Sequence, residues 1–228
     1  MNKHRTSWQK LLALTAPVMM GYVPLGIAFG LLAVQMGLPF WVPVLMSVLI
    51  YSGTNQFLLL SLWGASASLP YSLVAIGFLS VRHVFYGLSL PGYRFANAWQ
   101  KHYSIYALTD ETFSLLTALP AHQGQANVAR IAFLNQSYWL LGTVIGALAG
   151  QELPFVIDGL PFALTALFIV LLVEQFRQLR RARYFVQAFI VGLLCLWLIP
   201  QQHFLLASIS MCLVLVGSDF YRNKRHEQ

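Results

Sequence analysis

Residues 41–63 read WVPVLMSVLIYSGTNQFLLLSLW. Its two arms are apolar, and together they have the length of a helix crossing a bilayer core, which takes roughly 20 apolar residues. The centre breaks the pattern: Ser52, Gly53, Thr54, Asn55 and Gln56 follow one another as small or polar residues. Such residues favour local unwinding. At membrane depth, unwound backbone is tolerated only where it lines a cavity or is buried in protein. The segment therefore predicts a membrane span with a broken middle.

The rest of the chain agrees with that reading. Of its 228 residues 58% are hydrophobic and 9% charged, and the mean hydropathy is +0.65. A soluble domain carries about 25% charged residues, so this chain has too little polar surface to face water. The expected fold is all-α, a polytopic helical membrane protein forming one transmembrane domain over residues 1–228. Spans are predicted near 17–37, 41–63, 70–91, 131–150, 159–176, 184–200 and 203–219, each bounded by Pro, Gly or charge. That makes seven, within a range of six to eight. The uncertain stretch is 104–119, short and apolar, with Asp110-Glu111 near its middle. It reads as an eighth crossing, a re-entrant half-helix or an interfacial helix.

Charge sets orientation. Lys and Arg number 14 against 7 Asp and Glu, nearly all outside the apolar runs, which is the positive-inside pattern and not a nucleic-acid footprint. Both topologies put the Arg177–Arg183 loop and the C-terminus in the cytoplasm. Seven spans leave the N-terminus outside, and eight return it inside. Lys3, Arg5 and Lys10 precede an apolar run, Leu11–Leu38, too long for a signal h-region, so it is read as a retained first span. Cys195 and Cys212 lie in apolar segments, where cysteine acts as a small hydrophobe, and imply neither a disulfide nor a metal site. Trp8, Trp41, Trp63, Trp99 and Trp139 mostly flank spans and read as an interfacial aromatic belt.

An internal duplication is also legible. Leu25, Gly26, Gly30, Leu32, Ala33 and Gln35 match Leu141, Gly142, Gly146, Leu148, Ala149 and Gln151 at identical spacing, and Gln56-Phe57 finds Gln175-Phe176. The expected halves are 17–91 and 131–200, with an extra helix at 203–219. Three spans between repeat starts make the copies inverted, and four make them parallel. The inverted three-helix repeat, usual in secondary transporters with a midplane site beside interrupted helices, is the expectation.

Ionisable and polar groups in hydrocarbon are costly and mark function. The substrate-binding candidates are Ser52, Gly53, Thr54, Asn55 and Gln56, with Arg82 and His83 of the third span. Arg82 suits a bidentate bond to a carboxylate, and His83 titrates near neutral pH. Asp110 and Glu111 are the candidates for proton or ion coupling or for an amino group. The bland alternatives are small-residue helix packing for 52–56, snorkelling for Arg82-His83 and an N-cap at Thr109 or Asp110. Catalytic motifs are missing: Gly64-Ala65-Ser66-Ala67-Ser68 lacks the last glycine of a nucleophile elbow, and no phosphate loop, dinucleotide fingerprint or zinc spacing occurs. No enzyme activity, cofactor or metal is expected, and a channel or membrane scaffold is the rival class.

Four stretches together resemble the AzlC family of branched-chain amino acid permeases: Pro24-Leu25-Gly26-Ile27-Ala28-Phe29-Gly30, Tyr51-Ser52-Gly53-Thr54-Asn55-Gln56-Phe57, Arg82-His83-Val84-Phe85-Tyr86-Gly87 and Leu108-Thr109-Asp110-Glu111-Thr112-Phe113. The resemblance continues through Pro161–Phe168. Members often carry Ala-Gly-Ala-Ser/Ala-Gln-Phe in the second span and Asn or Asp before Arg-His. Here Ser52–Phe57 and Val81 stand in those places. The resemblance implies a multi-pass permease of the bacterial inner membrane, exporting branched-chain amino acids along an ion gradient with a small AzlD-type membrane subunit as partner and lipid as solvent.

Overall fold

The structure is a computed structural model and describes residues 7–88, 98–119, 121–152, 169, 172–173, 176, 182–200, 204, 207–216 and 218. Among these the regular elements are all helical: α1 (Trp8–Gln35), α2 (Trp41–Leu49), α3 (Gly53–Gly64), α4 (Leu69–Leu88), α5 (Ala98–Tyr106), α6 (Asp110–Ala118), α7 (Ala121–Glu152), α8 (Ala182–Leu198) and α9 (Ala207–Val216). By length and composition, α1 and residues Asn127–Glu152 of α7 can each cross a bilayer. The spans expected near 184–200 and 203–219 correspond to α8 and α9. The one expected near 159–176 lies mostly outside the described residues.

Two compact units are formed, one from Met1–Ala65 with Leu79–Pro161 and the other from Ser66–Phe78 with Phe162–Gln228. In the second, Phe176 and Phe185 meet edge to face at 5.2 Å, and Val191 and Cys195 are buried. Large apolar side chains such as Met20, Leu49, Phe189, Trp197 and Val214 stand exposed. In water such a surface would drive aggregation; toward lipid tails it costs nothing. The candidate residues all belong to the first unit.

The first unit is organised around α1 and α7, which touch through glycine. A Cβ at Gly26 would lie 2.7 Å from the Trp139 carbonyl oxygen, and one at Gly142 2.5 Å from that of Val23. Likewise Gly30 abuts the Thr143 carbonyl and Gly146 that of Ile27. Each glycine thus sits on the carbonyl three residues before its counterpart, a reciprocal contact of the kind a two-fold axis generates. Apolar burial gives no drive between helices in lipid, so close backbone approach through small residues takes its place. Paired contacts climb both helices together: Thr15 Oγ1 lies 2.9 Å from Tyr138 Oη, Tyr22 packs on Trp139, and Val34 meets Gly150. α1 and α7 therefore run parallel. An inverted repeat starting at these two helices would make them antiparallel, so the sequence expectation does not describe this pair.

α1 ends at Gly37, whose φ of +86° suits glycine. There the Gly37 and Leu38 N–H groups return to the carbonyls of Val34 and Ala33, satisfying the orphan acceptors of the last turn. Pro39 follows and bars continuation.

α2 and α3 are the two arms of the interrupted second span. Ile50 still donates to Met46 at 2.8 Å; then Tyr51 turns to φ +38° and Ser52 is extended at φ −145°, ψ 103°. The helix restarts with Gln56 N–H on Ser52 O at 2.9 Å. The break is therefore narrower and earlier than the polar run suggested, and Asn55 and Gln56 are already wound into α3. Two residues suffice to break a helix, and polar side chains beyond an N-cap position wind at once.

A second break separates α5 from α6. Ala107 N–H closes α5 on Tyr103 O, and Phe113 N–H opens α6 on Thr109 O, both at 2.8 Å. Thr109 is the cap, its Oγ1 accepting from Thr112 N–H at 3.3 Å, with Asp110 and Glu111 in the first turn, where they complement the helix dipole. The capping alternative for this stretch holds.

Candidate functional site

The two breaks meet. Tyr106, closing α5, donates its hydroxyl to the carbonyl of Val48 near the end of α2. From α1, Tyr22 places its hydroxyl 2.8 Å from Thr109 Oγ1 and 2.6 Å from Glu111 Oε2, so one proton is shared between a hydroxyl and a carboxylate. Tyr51, in the first break and 3% exposed, lies beside Tyr22, Thr109 and Glu111. A bulky residue held at positive φ is costly and persists where the surroundings impose it, often at functional sites.

α7 supplies the floor. Asn135, fully buried, donates through Nδ2 to Thr112 Oγ1 at 2.9 Å, and Thr112 Oγ1 lies 3.1 Å from Thr109 Oγ1. One turn on, Trp139 is boxed in by Tyr22 at 5.5 Å, Phe29 at 6.2 Å and Phe57 at 6.5 Å between ring centroids. A Cβ on Gly53 would come within 2.8 Å of its Cη2, so only glycine lets the start of α3 rest on this indole.

The expected residues divide. Glu111 and the Tyr51-Ser52 break come together, with Ser52 buried and Gly53 against Trp139. Asp110 and Thr54 are half-buried beside them in the first turns of α6 and α3. Asn55 instead turns to α4, its Nδ2 donating to Ser80 Oγ at 2.8 Å. Gln56 donates to Ser47 Oγ at 2.9 Å, Ser47 pairs with Thr143 at 2.8 Å, and Thr143 donates to the Trp139 carbonyl at 3.0 Å. That chain braces α2, α3 and α7 behind the break. On α4, His83 lies edge to face with Tyr86 at 6.0 Å, and Tyr86 stacks on Phe113 of α6 at 4.8 Å. Arg82 is helical in α4, and its side chain lies outside the described residues.

Three residues of the cluster escaped the sequence reading. Trp139 was assigned to the interfacial belt, but it is 3% exposed where Trp8, Trp41, Trp63 and Trp99 are each more than half exposed. Tyr22 carries no sequence motif, and Tyr51 stands just before the polar run that supplies the substrate-binding candidates. One signal was available: Tyr22 and Tyr138 stand at the same offset as the matched glycines.

Comparison with known proteins places the chain. The model of the family described as AzlC protein matches residues 17–153. An uncharacterized membrane protein of Helicobacter pylori is 35% identical over 92% of both chains. The inner membrane protein YgaZ of Escherichia coli is 35% identical over 78% of this chain and 76% of its own. The branched-chain amino acid transport protein AzlC of Bacillus subtilis is 32% identical over 77% of this chain and 71% of its own. No solved structure matches. With a family match running from α1 through α7, the helices that build the site, this chain belongs to the AzlC family of membrane transport proteins.

Proposed function

We propose that the protein is a multi-pass secondary transporter of the bacterial inner membrane, exporting branched-chain amino acids or a related small zwitterion with a small AzlD-type membrane subunit. The observation that carries this reading is the meeting of two helix breaks at Tyr22, Tyr51 and Glu111. Broken helices aim their partial charges at a bound ligand and let it be released to either side. A scaffold has no need of them. The Bacillus subtilis relative, named for branched-chain amino acid transport, supports the substrate class.

In this reading Glu111, with Asp110, takes the substrate ammonium or cycles the coupling proton. Arg82 and the start of α3 (Ser52, Gly53, Thr54) serve the carboxylate. Asn55 and Gln56 act from behind, holding the first break to Ser80 and Ser47, and His83 sits on the α4 face toward α6. The parallel course of α1 and α7 supports four crossings between repeat starts, with α5 and α6 together as one broken crossing. Eight crossings then put the N-terminus in the cytoplasm, a location a reporter fusion reads directly.

The test is counterflow of radiolabelled valine, leucine and isoleucine in proteoliposomes, with and without the small subunit, across imposed pH and sodium gradients. Saturable exchange accelerated by a proton gradient is expected. Ohmic ion flux, or no saturable amino acid flux even with the subunit, would overturn the reading in favour of a channel or a scaffold.

A further inference from the structure

Two polar groups on one face of α7 lack partners, and they are of opposite kind. The indole of Trp139 can only donate, and its Nε1 has no acceptor, although the residue is 3% exposed. Asn135, four residues earlier and wholly buried, commits its amide nitrogen to Thr112 and leaves Oδ1 without a donor. Leaving a buried polar group unmatched is expensive. Residues four apart on a helix share a face, with Cβ atoms about 5–6 Å apart, so the two groups can address one ligand.

Each group has company of its own sign. Beside Trp139 lies Gly53, which opens α3 with no side-chain cap from Ser52; the first turn of a helix presents N–H groups and positive partial charge. Asn135 is linked through Thr112 and Thr109 to Tyr22 and Glu111, where the carboxylate is. Donors thus gather at one end and acceptors at the other.

We propose that Trp139 and Asn135 are the two poles of an α-amino acid site. The indole N–H, with the opening turn of α3, receives the carboxylate. Asn135 Oδ1, with Glu111, receives the ammonium. This rests on the transport reading above and adds two residues to the substrate-binding candidates read from the sequence.

The test measures the Kd of leucine, leucinamide and 4-methylpentanoate by calorimetry for the full chain in lipid nanodiscs, with melting of the unliganded protein as a folding control. Trp139→Phe should raise the leucine Kd about tenfold, as loss of a hydrogen bond to a charged group does. Leucinamide, which has no carboxylate, should bind wild type and this variant alike. Asn135→Leu should weaken leucine and leave 4-methylpentanoate, which has no ammonium, unchanged. Leucine binding that is unaltered in folded variants, or lost in parallel with leucinamide, overturns the proposal while the transport reading stands. Should Trp139→Phe not fold, Asn135→Leu, read on leucine against 4-methylpentanoate, decides alone. If the wild type binds no leucine even with the small subunit present, the transport reading itself falls, before any variant is compared.

Discussion

Tyr22 of α1 donates to Glu111 of α6 across 2.6 Å, the shortest tie between the long first helix and the start of the half-helix that carries the acidic pair. Hydrogen bonds to charged groups contribute about 1.5–3 kcal/mol. Tyr22→Phe keeps the ring on Trp139 and removes only this bond and the one to Thr109. Amino acid efflux should fall at least about tenfold at unchanged membrane abundance, as checked by radiolabelled efflux normalised to immunoblot.

The acidic pair gives a second prediction. Asp110→Asn and Glu111→Gln preserve shape and remove charge, and each should slow export while leaving the protein folded. Wild-type efflux from both would rule out a carboxylate role.

Thr109 both caps α6 and accepts from Tyr22. Losing an N-cap costs about 1 kcal/mol, so Thr109→Ala should lower the melting temperature and reduce efflux. Thr109→Ser, which keeps the oxygen, should restore both.

The glycine crossing is testable by contrast. A methyl at Gly30 or Gly146 would overlap the Thr143 or Ile27 main chain, and overpacking of this kind costs typically 1–3 kcal/mol or more. Gly30→Ala and Gly146→Ala should lose monodisperse protein in size-exclusion chromatography. Gly21→Ala and Gly192→Ala, with nothing near the added atom, should behave as wild type.

Gln56 separates bracing from binding. Its amide nitrogen is occupied by Ser47, so Gln56→Met should lower the melting temperature yet leave the KM for transport within about twofold. A KM change larger than the stability loss would return Gln56 to the substrate.

What the sequence made legible follows from what hydrocarbon penalises. Interruptions such as Ser52–Gln56 and Asp110-Glu111 stand out because polar groups and unwound backbone are expensive there, and each begins beside a real break. The direction of α7 relative to α1 was not legible, because repeat matches fix equivalence and not the number of crossings between copies. That needed the ordered contacts from Thr15 to Val34. Trp139 was missed for a related reason. An indole serves an interface or a buried cluster equally well, and only its neighbours Tyr22, Phe29, Phe57 and Gly53 decide which.

The contact of α1 with α7 has a mechanical consequence. Side chains normally cushion two helices and let them slide, but at Gly26, Gly30, Gly142 and Gly146 main chain rests on main chain. A shift of even 1 Å there meets steep repulsion, because packed interiors do not deform continuously. These two helices form a strut without slack, and whatever swings during a working cycle must swing about it.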